Sequence, residues 1–428
     1  MASEVQALTG MRIIDFSAVL AGPFATQQLA QLGADVIKIE QPETGDMTRG
    51  LMASTSDGMA PSFLTCNLGK RSITIDLKHT SAKTIVYELV KTADVVVENF
   101  KPGTIDRLGF GYESLKAINP NLIYASISGY GQSGPKSELP AFDGAIQASS
   151  GMMSISGHNE TGPTRAGYFA VDMSTSLNAA FAITAALLRR NVTGEGQRVD
   201  ISMMDSAVMM QAPQFGNYFL TKNLPDLTGN HSPTKQPTAN VFATSDGFVQ
   251  IIALKESHVQ GLFELVGQGQ AYARFPDPEV RLKNATEIEE LLKPAIKRHD
   301  TEFWLDSLSQ SGIPSAPIRS LSQVAEDSQF DHRLTFTEIE KPGSPEDKLT
   351  VVSASHLTHP APPSVQRDPP QLGQHTVEIL DELGFSIDEI RSFQEKKSCV
   401  ILIRERLHSP KIEGPLDNFD RSIKITDF

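Results

Sequence analysis

The sequence predicts an α/β protein with a mostly parallel sheet and a second, smaller α+β unit in the middle of the chain. Strand and helix patterns alternate from residue 11 onward, which is typical of parallel strands joined by right-handed crossovers. The run Asp94–Glu98 has a Val-Val-Val centre, as expected for a strand buried on both faces. Near residue 230 the alternation gives way to a hairpin and helices. The 428 residues are enough for two or more domains.

The first half of the chain supplies the elements of the predicted parallel sheet. A strand at Met11–Phe16 leads into Gly22-Pro23, where proline suits a first helical turn, and the helix Phe24–Leu32 ends at Gly33. Asp172–Arg190 is small and apolar nearly all round, which predicts a buried helix. The other predicted elements are the strands Val36–Glu40, Ser72–Leu77, Asp94–Glu98, Leu122–Ser128 and Arg198–Ser202, the helix Thr80–Thr92 and a Met-rich helix from Asp205.

The second half begins with a hairpin. The strands Asn240–Thr244 and Phe248–Ala253 flank Ser245-Asp246-Gly247, a strong turn signal. Two Pro-rich segments, Pro342–Pro345 and Pro360–Pro370, predict an extended connector. Helices are predicted at Ser257–Val266, Thr286–Lys297 and Thr301–Ser309, and a last pair of helices is expected after Leu372-Gly373.

Composition and charge exclude several classes of partner. The formal net charge of -13 argues against nucleic acid, because phosphate binding needs an excess of Lys and Arg. No apolar stretch looks long enough to span a bilayer, so no membrane association is expected. Met1–Leu8 contains no Arg or Lys, unlike a secretory signal or a transit peptide. Only Cys66 and Cys399 are present, which indicates a reducing compartment; we predict the cytoplasm, with mitochondria as the alternative.

Familiar cofactor and nucleophile motifs are missing. The turn after the first strand reads SAVLAGP rather than G-x-G-x-x-G, so it lacks the glycines that cradle a dinucleotide phosphate. The ten histidines form no H-E-x-x-H pair, and neither a P-loop nor a G-x-S-x-G elbow is present. A dehydrogenase, a metal enzyme and a serine hydrolase are therefore disfavoured, and neither a metal nor a tightly bound cofactor is expected.

Asp172 opens the long apolar helix and has two interpretations. The commoner one is a helix N-cap, a role for which Asp is strongly preferred. The other is a nucleophile, because the positive field of a helix N-terminus favours an ionised carboxylate that can attack a thioester. Local pattern does not decide between the two.

Ten ordered motifs extend over nearly the whole chain, from about Leu8 to about Phe393. Each motif is weak alone, but together they make the sequence resemble the family III CoA-transferases. This group contains formyl-CoA transferase, carnitine CoA-transferase and succinyl-CoA:glutarate CoA-transferase. The motifs are DFSAVLAGP (Asp15–Pro23), LGADVIKIE (Leu32–Glu40), GDMTRG (Gly45–Gly50), GKRSITIDLK (Gly69–Lys78), ADVVVENFKPGTIDRLGFGY (Ala93–Tyr112), SGYGQSGP (Ser128–Pro135), FDGAIQASSG (Phe142–Gly151), AVDMSTSLNAA (Ala170–Ala180), TGEGQRVDISMMDS (Thr193–Ser206) and LGQHTVEILDELG (Leu372–Gly384).

The resemblance implies a large Rossmann-like domain built from both chain ends, a small central α+β domain, and two chains interlocked as a homodimer. Combined with the pattern changes along the chain, it places the first part of the large domain at residues 1–215 and the small domain at 230–335. The chain then returns to the large domain at 345–397, and 398–428 forms a C-terminal extension.

The resemblance also implies a covalent mechanism with Asp172 as nucleophile, an aspartyl-CoA thioester as intermediate, and a coenzyme A thioester as substrate. A carboxylic acid is the second small-molecule partner. Arg49 is a weaker candidate for binding CoA. The positions that match CoA-contacting segments of the family are Leu20, Ala21, Ile75, Asp76, Leu77, Lys78, Asn99, Phe100, Lys101 and Arg107, where cations suit the phosphates of CoA.

Departures from the family pattern bear on the substrate. Formyl-CoA transferase has His and Gln where this chain has Ala18 and Leu20, an Arg at Gln41, and a Gly-rich loop at Ile252–Lys255. The dicarboxylate branch resembles this chain more, so succinyl-CoA as donor and a small dicarboxylate as acceptor are expected.

Two alternatives belong to other classes. An α-methylacyl-CoA racemase or epimerase shares the fold and many motifs, but its proton-transferring His is replaced here by Phe142, which cannot carry a proton. A non-catalytic CoA-binding protein would need Lys78 and Arg107 but not Asp172.

Overall fold

The computed structural model describes residues 5–51, 59–341, 344–396 and 398–399. Short and long strands occur along the whole described chain. They are β1 (Arg12–Asp15), β2 (Asp35–Glu40), β3 (Arg71–Thr74), β4 (Val95–Glu98), β5 (Ile123–Ser128), β6 (Gly157–His158), β7 (Gly162–Pro163), β8 (Gln197–Ser202), β9 (Ala239–Ala243), β10 (Phe248–Ile252), β11 (Ser315–Pro317), β12 (Phe336–Lys341) and β13 (Ser344–Val352).

Helices connect most of these strands. They are α1 (Ala21–Gln31), α2 (Pro61–Leu64), α3 (Thr80–Lys91), α4 (Thr104–Leu108), α5 (Tyr112–Lys116), α6 (Asp143–Ser149), α7 (Met152–Ile155), α8 (Ala170–Thr193), α9 (Met203–Met210), α10 (Ala212–Thr221), α11 (Glu256–Leu265), α12 (Gly269–Tyr272), α13 (Pro278–Lys283), α14 (Ala285–Ile296), α15 (Thr301–Gln310), α16 (Leu321–Ala325), α17 (Ser328–His332), α18 (Thr376–Glu382) and α19 (Ile387–Glu395). A 3-10 helix spans Met47–Gly50.

The central sheet has six strands in the order β3-β2-β1-β4-β5-β8, and every neighbouring pair is parallel. The predicted α/β fold with a parallel central sheet is thus confirmed. The strand order reverses between β1 and β4, so their carboxyl ends border the crevice where ligands of such sheets bind.

Helices cover both faces of this sheet because successive residues of a buried strand point in opposite directions. Ile13 of β1 packs with α1 and α8 on one face. Its neighbour Ile14 packs with α3, α18 and α19 on the other face. The result is a three-layer arrangement, and the last helix pair, predicted after Gly373, is part of it.

Arg71 joins the returning chain end to the sheet. Its buried guanidinium bonds Asp35 of β2 at 2.6 Å and also contacts Glu378 and Glu382 of α18. Arg71 is buried, whereas Glu378 and Glu382 are exposed, so these ion pairs add to the apolar packing that holds α18 at the edge strand β3.

The middle of the chain has its own apolar core. The predicted hairpin is confirmed as β9 and β10, which pair antiparallel, with β11 on the other side of β10. Helices α11, α14 and α15 pack on this sheet, and the buried residues of this core all lie between Phe242 and Ile313. The domain boundaries at 215, 230, 335 and 345 stay predictions.

The prediction of an extended connector at Pro342–Pro345 is wrong. β12 and β13 form an antiparallel pair with an irregularity between Glu340 and Lys341. Ile339 and Val351 are buried against Leu68, so one face of this pair contributes to a core. The alternation of apolar and polar residues at Leu349–Val351 was the missed signal. Of the predicted extension at 398–428, all but residues 398–399 lie outside the described residues.

The composition of helix α8 predicted that it is buried on all sides, and this prediction is wrong. Ala179 and Ile183 pack on the sheet, whereas Phe181 is 76% exposed and Val192 is 81% exposed. The expectation that no stretch could span a bilayer is also corrected, since α8 is long and apolar enough by length and composition. A helix in the core of a water-soluble protein passes the same test, so this is weak support for a membrane span.

Candidate active site

The turn between β1 and α1 lies at the point where the strand order reverses. Gly22, the second residue of α1, is packed so closely that a Cβ there would lie 2.3 Å from Ser17 Cβ. Any larger residue would push the start of α1 away from the turn. The sequence SAVLAGP therefore positions Leu20 and Ala21 at the crevice.

Buried ions surround this turn. Lys70 Nζ lies 2.9 Å from Asp15 Oδ2, and Lys38 Nζ lies 2.9 Å from Asp46 Oδ2. Burial acts to raise the pKa of Asp15, but the two lysines outweigh it and lower that pKa to about 2. The carboxylates likewise outweigh burial and raise the pKa of Lys38. Burial lowers the pKa of Lys70 to about 8, which is still above neutral pH, so the cluster stays ionised there.

Arg49 belongs to the same buried cluster and is not a free cation. Its guanidinium contacts Glu40 through both Nε (2.8 Å) and Nη2 (2.7 Å) and lies over the ring of Phe63. Nη2 also donates to the carbonyl of Pro370. These contacts occupy the guanidinium, so the interpretation of Arg49 as a CoA ligand is not supported by its surroundings.

Asp172 is the third residue of α8, and Phe169 is the N-cap. The N-cap interpretation of Asp172 is therefore wrong. Asp143 satisfies the helix start instead: its Oδ2 accepts hydrogen bonds from the backbone N–H groups of Val171 (2.8 Å) and Asp172 (3.1 Å). Asp143 is buried and is itself held by Gln147, whose Nε2 donates to Asp143 Oδ1 at 2.6 Å.

The Asp172 side chain is buried without a compensating partner. The residue is 8% exposed, and within the described ranges its carboxylate oxygens accept no hydrogen bond. Burial, together with the nearby charge of Asp143, raises its pKa to about 7. The helix field was expected to favour the ionised form, but burial and a like charge outweigh it here.

One hydroxyl links the two halves of the site. Ser176 Oγ, one turn after Asp172, lies 2.7 Å from the carbonyl oxygen of Ala21 and 2.8 Å from that of Asp172. The predicted nucleophile and the predicted contact residue Ala21 therefore come together, although 151 positions separate Ala21 from Asp172 in the sequence.

The predicted CoA-contact segments lie after the carboxyl ends of β3 and β4. Three of their cations, Lys78, Lys101 and Arg107, are exposed. Lys101 is 3.3 Å from Glu138 at the surface, and Arg107 donates to Thr104 Oγ1. Their exposure leaves them accessible to an anionic ligand.

The side chains of the other residues in these segments make contacts within the protein. Ile75 is buried in the core, and Leu77 and Phe100 pack against the same core. Asp76 accepts the Lys78 N–H at 3.0 Å and shapes its own turn. Only their backbone atoms or exposed edges are available to a ligand.

Asn99 also faces inward. Its Oδ1 accepts the N–H of Ala18 at 2.9 Å, and its Nδ2 donates to the carbonyl of Ala18 at 2.7 Å. Just before it, Glu98 ends β4 and accepts the Phe100 N–H at 2.9 Å. Burial raises the pKa of Glu98 to about 7.

Several residues of this site were missed by sequence reasoning. They are Asp143, Ser176, and the buried ions Lys38, Asp46 and Lys70. A lysine inside the apolar strand VIKIE was a usable signal, because an unpaired Lys is almost never fully buried. Among the described residues, no cluster of His, Cys, Asp and Glu could hold a metal ion.

Comparison with known proteins assigns the family. Residues 8–376 match the sequence profile of CoA-transferase family III. Succinate--glutarate CoA-transferase of Agrobacterium fabrum is 34% identical over 386 residues, which are 88% of this chain and 95% of the relative. Succinyl-CoA:mesaconate CoA-transferase of Haloarcula hispanica is 35% identical over 386 residues, 88% of this chain and 96% of the relative.

A solved structure agrees with this assignment. The crystal structure of a CAIB/BAIF family protein from Brucella suis superposes with a TM-score of 0.79 at 34% identity, and the match covers 88% of this chain and 99% of that one. The resemblance inferred from the ordered motifs is confirmed, and the chain belongs to CoA-transferase family III.

Proposed function

We propose that this CoA-transferase moves CoA from an acyl-CoA to a carboxylic acid through a covalent intermediate on Asp172. The observation that carries the proposal is the state of that carboxylate: it is buried, unpaired among the described residues, and next to the start of α1. A desolvated carboxylate without hydrogen-bond donors has little stabilisation of its charge, and this makes it a stronger nucleophile.

The exchange proceeds in four acyl transfers. The Asp172 carboxylate attacks the donor thioester, and the CoA thiolate leaves with formation of a mixed anhydride. The thiolate then attacks the aspartyl carbonyl, which releases the donor acid and leaves an aspartyl-CoA thioester. The acceptor carboxylate attacks this thioester and expels the thiolate, and the thiolate attacks the acceptor acyl group. The products are the new acyl-CoA and free Asp172.

Exposed cations hold the nucleotide end of CoA in this proposal. Lys78, Lys101 and Arg107 lie beyond the carboxyl ends of β3 and β4, on the same edge of the sheet as Leu20 and Ala21. Lys and Arg side chains pair with phosphate oxygens. The thioester end then reaches the crevice beside Asp172.

Succinyl-CoA is the proposed donor and a small dicarboxylate the proposed acceptor. Both relatives named above carry succinate or succinyl-CoA in their names, together with glutarate or mesaconate, which are dicarboxylic acids. The racemase alternative requires a second proton-transferring group beside Asp172. The candidate position is Phe142, which is 66% exposed and has no ionisable group.

A homodimer is proposed as the working form. One face of α8 exposes Leu177, Phe181, Leu188 and Val192, and α10 exposes Phe219 and Leu220. Exposed apolar helix faces of this kind typically mark a protein interface. An interlocked second copy would cover both helices and suits the family.

Replacing Asp172 by Ala should abolish CoA exchange without loss of folding stability. The substitution removes a buried charge that has no hydrogen-bond partner in the described structure, so the melting temperature at pH 8 should stay equal or rise. Exchange is measured by chromatography of acyl-CoA products, and wild-type enzyme incubated with acyl-CoA should be inactivated by hydroxylamine. Asp205→Ala is the matched control, since Asp205 is also a third helical residue but is exposed. Unchanged turnover in Asp172→Ala would refute the nucleophile.

The rate should depend on pH through the ionisation of Asp172. Attack needs the carboxylate, so kcat should rise with pH through about 7. Asp143→Asn removes the nearby like charge, lowers the pKa of Asp172, and should shift this rise to lower pH. Glu98 has a pKa of about 7 as well, but it should not respond to Asp143→Asn. A rise that stays at the same pH in this variant would contradict the assignment to Asp172.

A panel of acyl-CoA donors and carboxylate acceptors tests the substrate class. With mass spectrometry as readout, succinyl-CoA with a four- or five-carbon dicarboxylate should give at least ~10-fold higher kcat/KM than monocarboxylate pairs of equal length. A site that pairs the second carboxylate would be left with unpaired polar groups by a monocarboxylate, and this is costly. Transfer to monocarboxylates alone would overturn the substrate proposal. Rapid α-deuteration of a chiral 2-methylacyl-CoA in heavy water would favour the racemase.

Light scattering after size-exclusion chromatography should give twice the chain mass of 46.5 kDa. Phe181→Glu places a charge on the exposed face of α8 and should shift the protein toward monomer or prevent its assembly. Leu321→Glu is the matched control, because Leu321 is 90% exposed but lies on α16, which is not one of the two proposed interface helices. A monomeric wild-type protein would exclude the dimer.

A further inference from the structure

Val19 has a backbone conformation that a β-branched residue avoids. Its φ is +69°, in the left-handed region, and it lies between β1 and α1. Such outliers are energetically unfavourable and persist only where the surroundings hold them. Contacts from neighbouring elements must therefore hold Val19 in this conformation.

Three side chains from other elements hold three successive residues of the turn. Lys38 Nζ donates to the carbonyl of Ser17 at 2.7 Å. Asn99 pairs with both the N–H and the carbonyl of Ala18. Asp46 Oδ1 accepts the N–H of Val19 at 3.2 Å. We call Lys38, Asp46 and Asn99 the turn clamp.

Each member of the turn clamp is held in place by the structure around it. Lys38 and Asp46 are both buried and ion-paired to each other. Asp46 Oδ1 also accepts the N–H of Thr48 at 2.9 Å, which caps the 3-10 helix. Asn99 follows directly after β4, so the central sheet determines its position.

The turn determines where α1 begins relative to Asp172. Leu20 is the N-cap residue of α1, and Ala21 is its first residue. The Ala21 carbonyl is within hydrogen-bond distance of Ser176 Oγ, which also contacts the carbonyl of Asp172. A change in the conformation of Val19 would rotate the chain directly before this contact.

We propose that Lys38, Asp46 and Asn99 are positioning residues that hold Val19 in its left-handed conformation and so place Leu20 and Ala21 against the reacting thioester beside Asp172. The proposal rests on the CoA-transfer function proposed above. Asn99 thus acts through the turn rather than as a direct ligand of CoA. Misplacement of reacting groups by about 1 Å costs of the order of 100-fold in rate, so a relaxed turn should be visible in kcat.

A double-mutant cycle tests this strain argument. Asn99→Ala removes both bonds to Ala18 and should lower kcat by ~10-fold or more, with a smaller change in the KM for acyl-CoA. Glycine adopts positive φ readily, so the same Asn99→Ala change made in the Val19→Gly background should cost less than ~3-fold. A purely structural role of Asn99 would give the same loss in both backgrounds, and that result would overturn the proposal.

The matched control is Asn119→Ala. Asn119 is also half-buried, and its Nδ2 donates to the backbone carbonyls of Val90 (3.0 Å) and Ala93 (2.8 Å), away from the turn. Its loss should lower the melting temperature while kcat stays within ~2-fold of wild type. Should Asn99→Ala fail to fold, Asn99→Asp serves instead, because it keeps the acceptor for the Ala18 N–H and loses the donor.

A crystal structure of the Asn99 variant separates this proposal from the proposed function. Val19 should leave the left-handed region once the Ala18 bonds are lost, and retention of φ near +69° would refute the clamp. This readout needs no activity. If the wild-type enzyme transferred no CoA between any acids, the proposed function would be refuted. The crystal structure of the variant would still test the turn clamp.

Discussion

Two buried lysines hold the backbone between β1 and α1, and the rest of the site depends on them. Lys70 pairs with Asp15 and also donates to the carbonyl of Pro23 in the first turn of α1. Lys38 pairs with Asp46 and holds the carbonyl of Ser17. Charges buried this deeply are tolerated only because they are paired, and loss of one partner leaves an isolated ion. The turn conformation is thereby coupled to the stability of the sheet.

The surroundings of Asp172 destabilise its charge, in contrast to the paired charges at the turn. Carboxylates near the turn are stabilised by cations, whereas the charged group that acts on Asp172 within the described part of the chain is the like charge of Asp143. Asp143 takes the backbone N–H groups that would otherwise stabilise a carboxylate at the start of α8. Burial with cationic partners thus keeps Asp15 ionised as a structural group, whereas burial without such partners destabilises the charge of Asp172.

Secondary structure was predictable where periodicity was clean. The alternating strands and helices of the sheet and the β9–β10 hairpin were predicted within a few residues. The β12–β13 pair was missed because Pro342 suggested a connector, although Leu349 and Val351, two residues apart on β13, both pack into a core as alternate residues of a sheet do. The exposed face of α8 was also missed, since composition alone does not tell a helix buried in one chain from a helix with an apolar outer face.

The sequence alone determined the family, the order of the elements and the candidacy of Asp172, because these depend on local patterns and ordered motifs. Only the tertiary structure decided the hydrogen-bond partners and the pKa values of these residues. Asp172 is not an N-cap because Asp143, 29 residues earlier, reaches the helix start. Asn99 is turned toward Ala18, 81 residues away, rather than toward a ligand. A pKa and a hydrogen bond depend on distances between groups remote in the chain, and only the fold specifies those distances.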